Sequence, residues 1–237
     1  MPMGFMAQEL LKKIVEQLPR QTVIVPFFRG ESLMHPSFPE FMQELSKFED
    51  VQLASNGDLL HGTVKKAVLD NASFFSLSLH KYELPNHLSF FYEAAGKLVT
   101  QVSILEEYLS EKHKKMFIRE WRRHVDKVRI YKRHSTDGYG NCNSPPIDPT
   151  LGCHKPFEEI AIYWNGKTAL CNHDWNTKLA TGNLNFQSIN EVYNDEVYRE
   201  IRQRHLEGER ATVPMCTKCD SWKVRHVPHK MFGELHV

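Results

Sequence analysis

The residues of this chain whose type and spacing most directly imply chemistry are Cys153, Cys171 and the pair Cys216-x-x-Cys219. Thiolates hold zinc, or the iron of iron-sulfur clusters, in preference to harder ions, because polarizable sulfur matches soft metal centres. Cys153 stands before, and Cys171 after, a segment that turns at Asn165-Gly166, so a hairpin there brings the two together. Asn-Gly is the preferred pair for a type I′ hairpin turn, in which both central residues need positive φ. Pro214 then turns the chain so that Cys216 and Cys219 return to the hairpin. A common zinc ribbon uses two short Cys-x2-Cys knuckles, whereas here the first pair is split by a hairpin, which counts against zinc. A structural zinc held by the same four cysteines is the alternative.

The residues around these cysteines narrow the choice. Ile162-Tyr163-Trp164-Asn165-Gly166-Lys167 precedes the second cysteine, Cys171-Asn172-His173-Asp174-Trp175 follows from it, and Pro214 precedes the last pair. This arrangement resembles the C-terminal SPASM/twitch domain of radical S-adenosylmethionine (SAM) enzymes. The resemblance implies that Cys153, Cys171, Cys216 and Cys219 hold an auxiliary 4Fe-4S cluster. The full pattern continues with further cysteines, and residues 221–237 contain none, so the shorter, one-cluster version is expected. With every position filled by cysteine no iron is left open to substrate, and an electron relay or a structural role is expected. Trp164, Trp175 and Trp222 lie near the ligands in sequence and are candidates to shield them from water. Cys142, in an Asn-Cys-Asn context, reads as a free thiol.

The elements that must position these residues follow from composition and periodicity. At 237 residues the chain is long enough for one large or two small domains. A net charge of +1 asks for neither nucleic acid nor membrane as partner. No apolar run approaches the ~20 residues that span a bilayer, and the first residues lack a signal peptide's uninterrupted apolar region. A cytoplasmic location is expected, where an odd set of five cysteines serves metal better than disulfides. The thirteen histidines show no metal-binding spacing and read as surface or core residues.

Apolar spacing predicts a helix over 7–18 and a strand over 22–28 buried on both faces. A capping box at Ser37 and Glu40 opens a helix that turns Phe38, Phe41, Met42, Leu45 and Phe48 inward. Strands over 51–56, 74–79, 98–104 and 127–131 alternate with helices over 60–68, 88–95 and 106–121. Strands alternating with helices imply a parallel sheet with right-handed crossovers. After a Gly, Asn and Pro rich linker, the hairpin strands over 159–164 and 167–170 and a helix over 195–206 complete the chain. That helix is expected to bury Val197, Tyr198 and Ile201 and to end at Gly208, with a basic face of Arg199, Arg202 and Arg204 that is either solvated or offsets the cluster's negative charge.

In parallel α/β sheets ligands sit at the carboxyl ends of the strands. Gly30-Glu31, Ser55-Asn56-Gly57 and Ser76-x-Ser78 are polar groups at such ends and suit a small polar ligand, although strand-ending turns and a solvated acid explain them equally well. Phe28-Arg29-Gly30-Glu31-Ser32-Leu33-Met34-His35-Pro36 resembles the G-G-E-P-L-L-H-P segment of radical SAM barrels, and Leu53-Ala54-Ser55-Asn56-Gly57 their strand ending in T-N-G. The resemblance implies SAM as ligand, its amino group at Gly30 and Glu31, with Ser55, Asn56 and Ser78 seating the ribose and carboxylate. Arg29 and Ser32 depart from that pattern.

A radical SAM enzyme also anchors a catalytic 4Fe-4S cluster by Cys-x3-Cys-x2-Cys after its first strand, and this chain has no cysteine before Cys142. The expected fold is α/β: a partial (β/α)6 TIM-like barrel lacking its first strand over 1–136, a linker over 137–152, and a small hairpin-plus-helix iron-sulfur domain over 153–237. No residue is assigned a catalytic role. In complete form such a protein generates a 5′-deoxyadenosyl radical and modifies a substrate, here an unknown peptide or small molecule, with flavodoxin or ferredoxin as reductant. The rivals are a non-catalytic iron-sulfur binding or electron-transfer protein and a structural zinc protein with four cysteine ligands.

Overall fold

A computed structural model describes residues 4–133, 148, 150–179 and 181–220. The chain divides into two compact units, Leu18–Arg133 and Met1–Gln17 with His134–Val237. The first seventeen residues group with the cysteine-bearing unit.

The unit Leu18–Arg133 is a five-stranded parallel sheet in the order β1-β2-β3-β4-β5. The strands are β1 (Val23–Ile24), β2 (Asp50–Ser55), β3 (Phe74–Leu79), β4 (Val99–Leu105) and β5 (Lys127–Tyr131). Between them run α2 (Phe38–Leu45), α3 (Gly62–Asn71), α4 (Leu88–Ala94) and α5 (Glu111–Trp121). Strand register separates two faces. Val51 and Leu53 share one with Phe75, Leu77, Val102 and Ile104, all at most 1% exposed, and Phe90, Phe91, Phe117 and Trp121 from α4 and α5 are buried with them. The opposite face pairs Ser76 with Gln101, Ser78 with Ser103, and Ser103 with Arg129. A sheet with an apolar outer face under helices and a polar inner face presents that inner face to a ligand.

Several expectations are corrected. The first strand is only two residues long, and Val23, Val25 and Phe27 are 50%, 47% and 38% exposed. Among the described residues it pairs with β2 alone, at the edge of the sheet, and it is not buried on both faces. Ser37 occupies the N-cap of α2 without a side-chain cap bond, and its amide, which Glu40 would reach in a capping box, donates instead to His35 Nδ1 (3.1 Å). The helix expected over 106–121 is broken into a 3-10 turn, Glu106–Tyr108, and α5. Ser110 makes the break, its hydroxyl accepting from His113 N (3.2 Å) as N-cap of α5.

In the other unit, α1 (Gln8–Val15) buries Leu10, Leu11, Ile14 and Val15, and its Lys13 Nζ donates to Leu184 O (2.6 Å). After α6 (Lys155–Glu158) a short hairpin pairs β6 (Ala161–Ile162) with β7 (Thr168–Ala169). Its turn is not type I′, since of the central pair only Gly166 has positive φ (82°). Gly166 N donates to Tyr163 O (2.9 Å) and Tyr163 N to Lys167 O (2.8 Å), the pattern of a three-residue loop with glycine in the left-handed position. Last come α7 (Ile189–Tyr193) and α8 (Glu196–Leu206). Among the described residues, no helix is long and apolar enough to cross a membrane.

Two substitutions test this account of the fold. A Cβ on Gly166 would lie 2.5 Å from Asn185 Nδ2 and 2.8 Å from Asn183 Oδ1, besides straining a positive φ. Gly166→Ala is therefore expected to cost about 2–3 kcal/mol in urea denaturation, and a loss below about 0.5 kcal/mol contradicts the close approach. Asp126 ties the start of β5 to β4, its carboxylate accepting from Thr100 N (2.7 Å) and Thr100 Oγ1 (2.8 Å). These bonds hold its pKa below the ordinary carboxylate value. The stability they add is present above about pH 4 and is lost as pH falls through the lower folded value. Asp126→Asn should cost about 1 kcal/mol near neutrality, modest because the carboxylate is exposed, and should flatten stability against pH below about pH 4.

Candidate functional site

The cysteines expected to act together do meet. Cys153, Cys171, Cys216 and Cys219 line one cavity of about 370 Å³, its open mouth included, together with Lys155, Pro156, Leu170, His173, His205, Arg210 and Met215. The first three cysteines are buried, Cys219 is half-buried, and none of the four forms a disulfide. Among the described residues no group of three or more His, Cys, Asp or Glu side chains is arranged to hold a single metal ion.

Local structure explains how each thiol is placed. Cys153 shortly precedes α6, and Cys171 leaves β7 with its Sγ accepting from His173 N (3.4 Å). Tyr198, fully buried on α8, places its hydroxyl by Ala169 O (3.1 Å) and Leu170 O (3.2 Å), which pins the helix to the strand just before Cys171. Below it, the Asp174 carboxylate accepts from Lys178 N (2.7 Å) and Leu179 N (3.2 Å) and closes the loop that follows. Arg210 joins the remaining two ligand segments. Its guanidinium donates to Leu151 O (2.9 Å) and Asp148 O (3.4 Å) ahead of Cys153, and to the carbonyl of Cys216 itself.

The electrostatics favour an anionic occupant. Burial pushes the Cys153 thiol up to about 11 and the Cys171 thiol up to about 12, and raises Cys216 well above the ordinary value. Buried alone, these groups stay protonated at neutral pH, and binding a soft cation displaces those protons. Arg210 is 1% exposed, and among the described residues no carboxylate forms a close ion pair with it, although its charge helps to lower the pKa of the Asp148 carboxylate. A buried cation held mainly by carbonyl oxygens is costly, and a thiolate-bound metal centre would add negative charge beside it. The donor set, the cavity and the charge therefore fit an iron-sulfur group.

Other expectations about this unit change. The buried face of α8 is Tyr198, Ile201, Arg202 and His205, one residue round from the expected face, and Val197 is 47% exposed. Val197 N is held by the Asp195 cap (2.9 Å), which sets the helix start and rotates Val197 outward. Arg202 is not solvated, because its guanidinium lies 4.3 Å from the Tyr193 ring and donates to Tyr193 O (2.7 Å). Gly208 takes the helix-ending position with φ 77°, as expected. Neither Trp164 nor Trp175 lines the cavity. Trp164 packs on Gly4, Trp175 is 40% exposed, and the apolar lining is Pro156, Leu170 and Met215. Cys142 and Trp222 lie outside the described residues. Sequence reasoning missed His205 and Arg210, which local periodicity does not connect to the cysteines. It also missed α7, although Ser188 and Glu191 carry the capping-box signal and form that box.

In the sheet unit, Glu31 joins two strand ends. Its Oε1 accepts from Leu33 N (3.1 Å) and its Oε2 from Asn56 N (3.1 Å), beside Gly30 with φ 86°. Asn56 Nδ2 donates to Asp58 Oδ2 (2.9 Å). Ser55 shares the helix-covered face with Leu53, and its hydroxyl accepts from Gly57 N (3.0 Å). Ser78 lies on the polar face, its Oγ 3.4 Å from Ser103 Oγ. Glu31 and Asn56 are thus brought together, while Ser55 shapes their turn and Ser78 belongs to a separate serine group. Gln101, which donates to Ser76 Oγ (3.0 Å), and Ser103 were the polar residues of this face not anticipated.

With this geometry in hand, comparison with known proteins shows what the chain is similar to. Residues 153–220 match the SPASM family, an iron-sulfur cluster-binding domain. The fold is that of radical SAM enzymes carrying such a domain. BtrN in complex with AdoMet and 2-DOIA is 19% identical with a TM-score of 0.66, over 94% of this chain and 83% of that one. Native anSMEcpe with bound AdoMet is 12% identical with a TM-score of 0.62, over 95% of this chain and 85% of that one. SuiB from Streptococcus suis, bound to S-adenosylmethionine, is 10% identical with a TM-score of 0.63, over 93% of this chain and 66% of that one. No curated protein sequence matches the chain.

Glu31→Ala removes the acceptor for both the Leu33 and Asn56 amides. It should cost about 1–2 kcal/mol and speed hydrogen exchange at the Asn56 amide, and unchanged exchange there contradicts the bridge.

Proposed function

We propose that this chain is a radical SAM/SPASM-type iron-sulfur protein in which Cys153, Cys171, Cys216 and Cys219 hold one auxiliary 4Fe-4S cluster. The observation that carries the reading is the meeting of these four thiols in one cavity beside the buried cation Arg210, inside the segment that matches SPASM. A single zinc needs all four sulfurs about 2.3 Å from one point, whereas a cluster spreads its ligands around a cage. When bound, such a cluster supplies one-electron chemistry. The chain's own residues do the rest: α6, β7 and the Arg210 clamp fix the thiolates, Leu170, Pro156 and Met215 exclude water, and four cysteine ligands leave no site open for substrate.

In the sheet unit we assign SAM to the strand ends that bear Gly30, Glu31, Ser55, Asn56 and Ser78. Each carboxylate oxygen of Glu31 accepts one backbone amide and retains capacity for an ammonium group. Asn56 and Ser78 offer polar groups to a ribose or carboxylate, and Ser55 holds their turn. In complete form this class of protein converts SAM reductively to a 5′-deoxyadenosyl radical that modifies a substrate, with a small cytoplasmic electron carrier such as flavodoxin or ferredoxin as reductant.

Single substitution of each ligand tests the assignment. Anaerobically reconstituted protein should carry about four irons and four sulfides, and Cys153→Ala, Cys171→Ala and Cys216→Ala should each lose most of both. Cys142→Ala should retain the full content. Retention of iron in all three ligand variants, or about one zinc with no sulfide in the unsubstituted protein, contradicts the reading.

A further inference from the structure

His205 is a buried polar side chain left half-satisfied at the cysteine cavity. It is 1% exposed, projects from α8, and lines the cavity with the four thiols. Its Nδ1 accepts from the backbone amide of Cys153 (2.9 Å), so the proton of the neutral ring sits on Nε2. That Nε2 has no hydrogen-bond partner among the described residues. A buried N–H without an acceptor is rare and costly, and it calls for a missing acceptor. The polar groups that face it across the cavity are the cysteine sulfurs, Lys155, His173 and Arg210. Lys155 and Arg210 carry only donors, and Lys155 Nζ is engaged by Glu159 Oε1 (2.7 Å). The acceptors that face Nε2 are a ring nitrogen of His173 and sulfur, and sulfur is the one that an occupant of the cavity adds.

We propose that His205 is a positioning residue for the auxiliary cluster, holding the Cys153 segment through Nδ1 while Nε2–H donates a hydrogen bond to a cysteinyl or inorganic sulfur and raises the reduction potential. This rests on the cavity being the cluster site. Reduction adds one negative charge to the cluster, and a donor aimed at sulfur stabilises that added charge more than the oxidised form. Arg210, buried on the same wall and hydrogen-bonded to the Cys216 carbonyl, acts in the same direction through its charge.

The two nitrogens can be separated by substitution. His205→Asn keeps a short acceptor for the Cys153 amide and removes the far donor, whereas His205→Gln returns an amide donor to about the position of Nε2. Iron and sulfide content is measured first, then the potential by anaerobic redox titration followed by EPR. The unsubstituted protein lacking iron and sulfide would defeat the cluster reading, and this role with it. With all proteins loaded, His205→Asn should shift the reduction equilibrium about tenfold toward the oxidised form, about 59 mV for one electron, and His205→Gln should restore most of it. Equal potentials in all three, or equal shifts in both variants, overturn the role while leaving the cluster assignment standing. A readout on the unsubstituted protein covers failure of a variant to load. With histidine labelled by ¹⁵N, pulsed EPR of the reduced cluster should show a weak histidine nitrogen coupling and an exchangeable proton, and their absence overturns the proposal.

Discussion

The C-terminal unit is built around one buried cation. Arg210 donates to the carbonyls of Asp148 and Leu151 on the approach to Cys153 and to the carbonyl of Cys216, so one side chain draws together ligand segments far apart in sequence. Among the described residues its charge has no carboxylate in close ion-pairing contact, only the more distant influence of Asp148, and burial without a close partner is unfavourable. The arrangement makes sense when the cavity beside it carries negative charge. Buried thiols raised to about 11 at Cys153 and about 12 at Cys171 do not supply that charge alone. Thiolates bound to a soft metal group do, and the clamp and its occupant then stabilise each other.

The sheet unit follows a different logic. Its strand ends are held by carboxylate and amide contacts, with Glu31 bridging the turn after β1 to the end of β2. The serines and Gln101 on the inner face bond to one another. A polar inner face is tolerated in a parallel sheet because each hydroxyl finds a partner, and the outer face buries enough apolar area to hold the unit. Such a surface suits a ligand of several small polar groups better than an apolar one.

Much of this was legible in the sequence because the signals are local. β3 agrees residue for residue with the expected strand, since Phe74 to Leu79 is a short run rich in aromatic and aliphatic residues and bounded by turns. The convergence of four cysteines followed from their flanking residues. What escaped depended on contacts distant in sequence or on one-residue shifts in geometry. β1 read as a buried strand because composition does not reveal an edge. The Asn165-Gly166 turn read as type I′ although only Gly166 needs positive φ once Asn185 and Asn183 close over it. The buried face of α8 takes in Arg202 and His205 and leaves out Val197, and His205 reaches an amide 52 residues away. No periodicity encodes that pairing. The fold and the meeting of the four cysteines were readable, whereas His205 and Arg210 beside them were not.

The central claim is that the four thiols hold an iron-sulfur cluster and not a single ion. The most direct test is a Mössbauer spectrum of the unsubstituted protein reconstituted anaerobically with ⁵⁷Fe. The account predicts that the iron appears as one all-sulfur 4Fe-4S species, converted as a unit on one-electron reduction. Iron present only as isolated tetrathiolate sites, or no bound iron in a protein that retains tightly held zinc, would contradict it.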